Sequence, residues 1–171
     1  MAILFDSTNR LFTLQTDHSM YQMKADRYGV LLHTWFGMKG SAFDYSYRIA
    51  YADRGFSGNP YDVGEDRTYS LDALPQEFPT YGSGDYRCTA LKVRYPDGTS
   101  ACELRYLKHE ILKGKYSLPG LPAIYDTHKD SHSDSLIITL EDTRHMFYVH
   151  LYYGVMEDLD IITRTVCIEN H

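Results

Sequence analysis

Ser135-Leu136-Ile137-Ile138-Thr139-Leu140, the turn Glu141-Asp142-Thr143-Arg144, and Met146-Phe147-Tyr148-Val149-His150-Leu151-Tyr152-Tyr153-Gly154-Val155 decide the fold of this chain. The return run alternates Phe147, Val149, Leu151 and Tyr153 with Tyr148, His150 and Tyr152. A period of two puts successive side chains on opposite faces, which is the signature of a strand with one buried face. Polar residues between two such runs make a hairpin.

Working outward, the same pattern recurs. Arg10 to Thr16, Met20 to Lys24 and Gly29 to Phe36 read as strands, the last apolar enough to be buried on both faces. Trp35, the single tryptophan, falls in that run and reads as core. Thr89 to Tyr95 sets Leu91, Val93 and Tyr95 on one face. After the turn Pro96-Asp97-Gly98-Thr99, Ala101 to Leu112 returns with Cys102, Leu104 and Tyr106 inward, predicting a second hairpin. Tyr116 to Tyr125 carries Pro119 and Pro122, so it reads as a loop or an edge strand. Asp160 to Glu169 is a last strand, and Glu157-Asp158-Leu159-Asp160 before it a turn with a solvated acidic face. No stretch holds a helical period over three turns. The expected fold class is all-β, an antiparallel β-sandwich in one domain over residues 1–171. The last strand stops at His171 with no further strand to pair with. An open edge of that kind is an aggregation hazard, so a fragment of a longer protein is expected.

Composition narrows the function classes. Hydrophobic residues at 43% and charged residues at 23% fit a globular domain rather than a disordered one. A net charge of −6 argues against nucleic acid, which needs a clustered basic face. No apolar run approaches the ~20 residues of a membrane span. Three cysteines without C-x-x-C spacing read as reduced, mostly buried thiols of a cytoplasmic protein. The 16 tyrosines read first as strand residues, with surfaces that stack on sugars the lesser reading.

Between Gly37 and Asp85 neither period is kept. Within that segment Asp53-Arg54-Gly55-Phe56-Ser57-Gly58-Asn59-Pro60 concentrates charges, glycines and aromatics. Ordering each residue of such a loop costs roughly 1–2 kcal/mol of backbone entropy, so long ordered loops are commonly functional. Asp53, Asp66 and Asp85 each sit beside an arginine: Arg54, Arg67 and Arg87. Such pairs pin loops, and they also hydrogen-bond sugar hydroxyls. Catalytic alternatives find little. His128 and His132 lie in an Asp- and Ser-rich stretch between strands, read as an exposed loop without metal. There is no G-x-S-x-G elbow, no phosphate-cradling glycine loop and no cofactor motif, and Ser83 reads as a turn residue.

Several blocks together resemble a known family. Met1-Ala2-Ile3-Leu4-Phe5-Asp6, Phe56-Ser57-Gly58-Asn59-Pro60, Arg67 to Pro79, Tyr81 to Arg87, Gly120-Leu121-Pro122-Ala123 and Glu157 to Arg164 are similar, in order and spacing, to bacterial α-galactosidases of glycoside hydrolase family 36. The resemblance implies the first part of an N-terminal β-supersandwich, followed in the family by a catalytic barrel and a C-terminal β domain. Family members remove terminal α-galactosyl groups, as in melibiose and raffinose, with retention. They use two aspartates about 5–5.5 Å apart. Both belong to the barrel, so the resemblance implies no catalytic residue and no cofactor in this segment. In tetrameric members a loop of the sandwich reaches the sugar pocket of a neighbouring subunit. The matching positions are Asp53, Arg54, Phe56 and Asn59, with Asp53 accepting from a galactose hydroxyl, Arg54 bracing it, and Phe56 and Asn59 shaping the loop. A free-standing carbohydrate-binding sandwich, or a module that only docks subunits, are the competing readings of the same residues.

Overall fold

The computed structural model describes residues 2–53, 55, 59–122, 124 and 132–170. Two four-stranded antiparallel sheets face each other, each a simple meander. The first contains β1 (Ile3–Asp6), β2 (Leu11–Gln15), β3 (Ser19–Ala25) and β4 (Leu31–Met38). The second contains β5 (Leu104–Lys113), β6 (Ser133–Asp142), β7 (Phe147–Met156) and β8 (Ile161–Asn170). The hairpin that decides the fold is β6–β7, in register from Ser133 opposite Met156 to Asp142 opposite Phe147. Phe147, Val149, Leu151 and Tyr153 point inward as the alternation requires, while Tyr148, His150 and Tyr152 are half-buried.

One apolar core joins the sheets. Phe12, Leu14, Met23 and Leu31 of the first pack with Leu136, Ile138, Val149 and Leu151 of the second. Each such side chain contributes about 1.5–3 kcal/mol on full burial. The ends of the sandwich are fastened by polar contacts. The Asp17 amide donates to the Glu157 carbonyl (3.2 Å), and the Thr16 hydroxyl donates to Asp160. Asp160 itself takes a left-handed backbone (φ 55°) to close the short 3-10 turn Glu157–Leu159, as expected for that acidic stretch.

The other face of the first sheet is also covered. Between β4 and β5, from residue 39 to 103, the described residues form no strand. Part of that run lays Val63, Tyr69, Leu71 and Leu74 over Val30 and Leu32, forming a second, smaller core. This burial offsets the entropy of ordering so long a connection. The edge of β4 is capped as well: His33 N–H donates to the Pro75 carbonyl (2.8 Å), and Glu77 N–H to the Leu31 carbonyl (2.9 Å). Nearby, Gln22 is buried and fully engaged. Its amide donates to Thr13 Oγ1 (3.1 Å) and the Phe43 carbonyl (2.9 Å), and accepts from Thr34 Oγ1 and Tyr45 N–H (both 3.0 Å).

Three expectations are corrected and one strand is added. The stretch from Thr89 to Tyr95 buries Tyr95 and tucks Leu91 and Val93 against the core, but it forms no ladder with β5. Its link is a single parallel bridge, Leu91 with Thr80. The β5 strand instead pairs with β6, and at Tyr106 its other edge donates to the Gly29 carbonyl (2.7 Å). Residues 3–6, named in the sequence only for their resemblance, form β1 against β2. Trp35 is half-buried and stacks on Tyr45 (4.9 Å) instead of entering the core. Finally, of the three cysteines only Cys102 is buried, and Cys88 and Cys167 are exposed.

Three carboxyls tie the loops to the sheets. Burial pushes Asp142 up, but bonds from the Tyr95 hydroxyl (2.7 Å) and the Arg144 and Glu103 amides outweigh it and hold it below 3.8. Asp85 and Asp44 are likewise pushed up by burial and then held low, by Arg87 and by Lys24 with Ser46. A folded value below the unfolded one contributes stability above the ordinary carboxylate range, and that stability is lost as pH falls through the folded value. His33 and His109, which burial holds below 6.5, add a loss that begins as pH drops from 6.5. Exposed His132, raised by its bond to Asp158, works the other way in that range. Urea midpoints should therefore fall from pH 7 to pH 5 and more steeply below pH 4; an unchanged midpoint at pH 3.5 would contradict these assignments.

Candidate functional site

The loop singled out in the sequence leaves the sandwich after the 3-10 turn Tyr45–Arg48 and returns through a second one, Tyr61–Val63. That second turn places Val63 into the smaller core. Asp53 stands on this loop with its side chain 46% exposed. One carboxylate oxygen accepts from the Gly55 amide (2.7 Å) in a local turn that fixes the side chain over its own backbone. Arg67 embraces the same carboxylate from across the loop, with Nε 3.3 Å and Nη2 3.4 Å away. Arg67 Nη2 also donates to the Gly55 carbonyl (3.2 Å). The result is a partly exposed, pre-positioned carboxylate able to accept from a hydroxyl-bearing ligand. Asn59 closes the base of the loop by donating to the Asp66 carbonyl (2.7 Å). Arg54 and Phe56, the other two residues expected here, lie outside the described residues, as does His128.

The pairing of charges differs from sequence adjacency. Asp66 pairs with Arg27 (3.0 Å), not with Arg67. Its carboxyl is held low first by the Thr68 hydroxyl and amide, then by Arg27. Asp85 keeps its neighbour: Arg87 forks onto it through Nε (2.9 Å) and Nη2 (2.7 Å), with Gln76 adding 2.8 Å. Arg87 Nη2 also donates to the carbonyls of Leu71 (3.0 Å) and Leu74 (2.7 Å), so this pair braces the loop from beneath. Ser83 donates to the Thr80 carbonyl (3.0 Å), as befits a turn residue.

Beside the loop opens a cleft of about 490 Å³ that includes Lys24, Arg27, Tyr51, Asp66, Thr68 and Tyr69 in its walls. Sequence reasoning missed Tyr51 as a lining residue, although an aromatic two positions before Asp53 was a usable signal. Among the described residues no group of three or more His, Cys, Asp or Glu is placed to hold a metal ion.

The fold and the loop define a class first: an antiparallel β-sandwich domain that presents charged side chains on a loop anchored over its outer face. Residues 29–171 match the glycosyl hydrolase family 36 N-terminal domain. The chain belongs to that family. It is 49% identical over 171 residues to the bifunctional α-galactosidase/sucrose kinase AgaSK of Mediterraneibacter gnavus, which covers 99% of this chain and 18% of that protein. It is 38% identical to α-galactosidase Mel36A of Lactobacillus acidophilus, over 99% of this chain and 23% of the relative. Among solved structures, the galactosidase domain of AgaSK superposes with a TM-score of 0.93 at 48% identity, over 99% of this chain and 23% of that one. The α-galactosidase AgaA of Geobacillus stearothermophilus, solved in complex with raffinose, superposes at 0.87 with 38% identity, over 94% and 22%. The chain thus spans about a fifth of the length of the relatives it matches.

Proposed function

We propose that this chain is the non-catalytic N-terminal part of a retaining α-galactosidase acting on α-galactosides of the melibiose and raffinose type. In that reading it serves oligomerisation, to a tetramer in the full-length enzyme, and lends the residue 53–60 loop to the sugar pocket of a neighbouring subunit. The observation that carries the proposal is Asp53: its carboxylate is fixed by Arg67 and Gly55, yet remains open to a ligand. Arg67 braces Asp53 from across the loop, and Asn59 sets its base. The similarity to α-galactosidases along nearly the whole chain supports the parent activity. The chemistry is assigned to barrel aspartates outside this segment, which leaves the fragment inactive alone, and a cytoplasmic enzyme agrees with the three unpaired thiols.

Oligomerisation finds support on another face. Phe36, Met38, Phe43 and Tyr47 are 62–84% exposed, and the Phe43, Tyr45 and Tyr47 rings lie within 6.4 Å of one another. Apolar patches of this kind mark contact surfaces. The test of the sugar role is Asp53→Ala in the full-length enzyme, where kcat/KM should fall; an unchanged value would overturn it. A free-standing carbohydrate-binding module is separated by calorimetry on the 171-residue chain. We expect no heat of binding for galactose or raffinose, and millimolar or tighter affinity would favour the module instead.

A further inference from the structure

The cleft beside Tyr51 has a chemistry of its own. Tyr69 is 1% exposed, and its hydroxyl donates to the buried carboxylate of Asp26. Tyr28 meets the Tyr69 ring edge-on at 4.8 Å, and Tyr51 lies nearly parallel to it at 6.2 Å and 26°. Tyr51 is therefore the outermost ring of a backed stack, 48% exposed, with its orientation held from behind. Rigid aromatic faces of this kind bind C–H-rich surfaces at little entropic cost. The charges around it are balanced. Lys24 is matched by Asp44 (2.7 Å) and Arg27 by Asp66 (3.0 Å). A wall whose cations are already neutralised favours an uncharged ligand over a phosphate or a carboxylate. Lys24, Arg27 and Asp66, with the Ser46 and Thr68 hydroxyls, set donors and acceptors side by side in the wall. An apolar face beside alternating donors and acceptors matches a neutral glycosyl unit.

Position adds the rest. Tyr51 is two residues from Asp53, so at most about 7 Å of chain separates them. Asp66 lines the cleft and its backbone holds Asn59, at the base of the same loop. We infer that the Tyr51 cleft binds the glycosyl units beyond the terminal galactose of a longer α-galactoside, and so sets preference for substrate length. This rests on the reading of Asp53 given above.

The experiment uses the full-length enzyme and two substrates, raffinose and an aryl α-galactoside that carries one sugar. Tyr51→Ala should lower the ratio of their kcat/KM values about tenfold against raffinose, mostly through KM, whereas Tyr51→Phe keeps the ratio. Arg27→Gln, at a side chain 67% exposed whose ion pair contributes about 0–1 kcal/mol, should shift the ratio the same way by about threefold, so the inference does not depend on one variant folding. A ratio unmoved by both Tyr51→Ala and Arg27→Gln, or an equal loss on both substrates, would overturn it. The two readings fail separately: Asp53→Ala without effect on either substrate sinks the pocket role, and an unmoved ratio sinks only the cleft.

Discussion

Glu77→Ala should destabilise the domain by about 3 kcal/mol and lower its thermal midpoint by several degrees. Glu77 is 6% exposed and sits between the sheets. Tyr21 of the first sheet donates to one carboxylate oxygen (2.7 Å), and Tyr153 of the second donates to the other (2.8 Å). Arg164 of β8 lies 3.1 Å from that second oxygen and also donates to the Glu77 carbonyl (2.7 Å). Burial and then the nearby carboxylate push both phenols well above their ordinary range, so each keeps its proton and remains a donor. Removing the carboxylate would leave the buried Tyr153 and partly buried Tyr21 hydroxyls without their acceptor and strip Arg164 of its ion pair, leaving it only the Glu77 carbonyl. Arg164 is 40% exposed and regains part of its hydration, which keeps the loss at the lower end of the range for a broken buried pair. Glu77→Gln should recover roughly half of the loss, because the amide oxygen still accepts one hydroxyl. Urea unfolding of the three proteins checks this, and a Glu77→Ala midpoint equal to the parent's would refute the role.

The second large effect concerns activity. In the full-length enzyme Asp53→Ala should reduce kcat/KM by about 10–100-fold, the worth of a hydrogen bond to a charged acceptor. Stability should hardly change. The ion pair with Arg67 is exposed on both sides (46% and 63%), and such pairs contribute about 0–1 kcal/mol. Asp53→Asn separates the two contributions, since it keeps an acceptor oxygen while removing the charge that orients Arg67. A variant that lost activity in proportion to its folded fraction would place Asp53 in the scaffold and not at the sugar.

Much of this was legible in the residues. The alternation through Phe147 to Tyr153 gives strand, face and hairpin at once, because one buried face imposes a period of two whatever the partner. The same alternation from Thr89 to Tyr95 correctly marks its buried side but not its pairing. Burial is local to a strand, whereas the choice of neighbour depends on β6, which lies some forty residues on. Glu77 carried no local signal either. Its partners Tyr21, Tyr153 and Arg164 are 56 to 87 residues away, and nothing in Gln76-Glu77-Phe78 announces them. At the candidate site, residue types were readable and partners were not. The arginine beside an aspartate serves it at Asp85 but not at Asp66, since a loop of some sixty residues can bring any of several arginines to a carboxylate. The anchoring of that loop by Val63, Tyr69, Leu71 and Leu74 was hidden because it has no period of its own.

The central claim is that the Asp53 loop acts in the pocket of a neighbouring subunit, and subunit mixing addresses it most directly. Full-length Asp53→Ala enzyme would be co-assembled with full-length enzyme inactivated at its barrel nucleophile, and α-galactosidase activity measured on the mixed oligomers. If the loop works across the subunit boundary, mixed assemblies pair an intact loop with an intact barrel, and activity rises clearly above the sum of the two parents. Activity that stays at that sum would place the loop over its own barrel, or away from the sugar altogether, and would contradict the account.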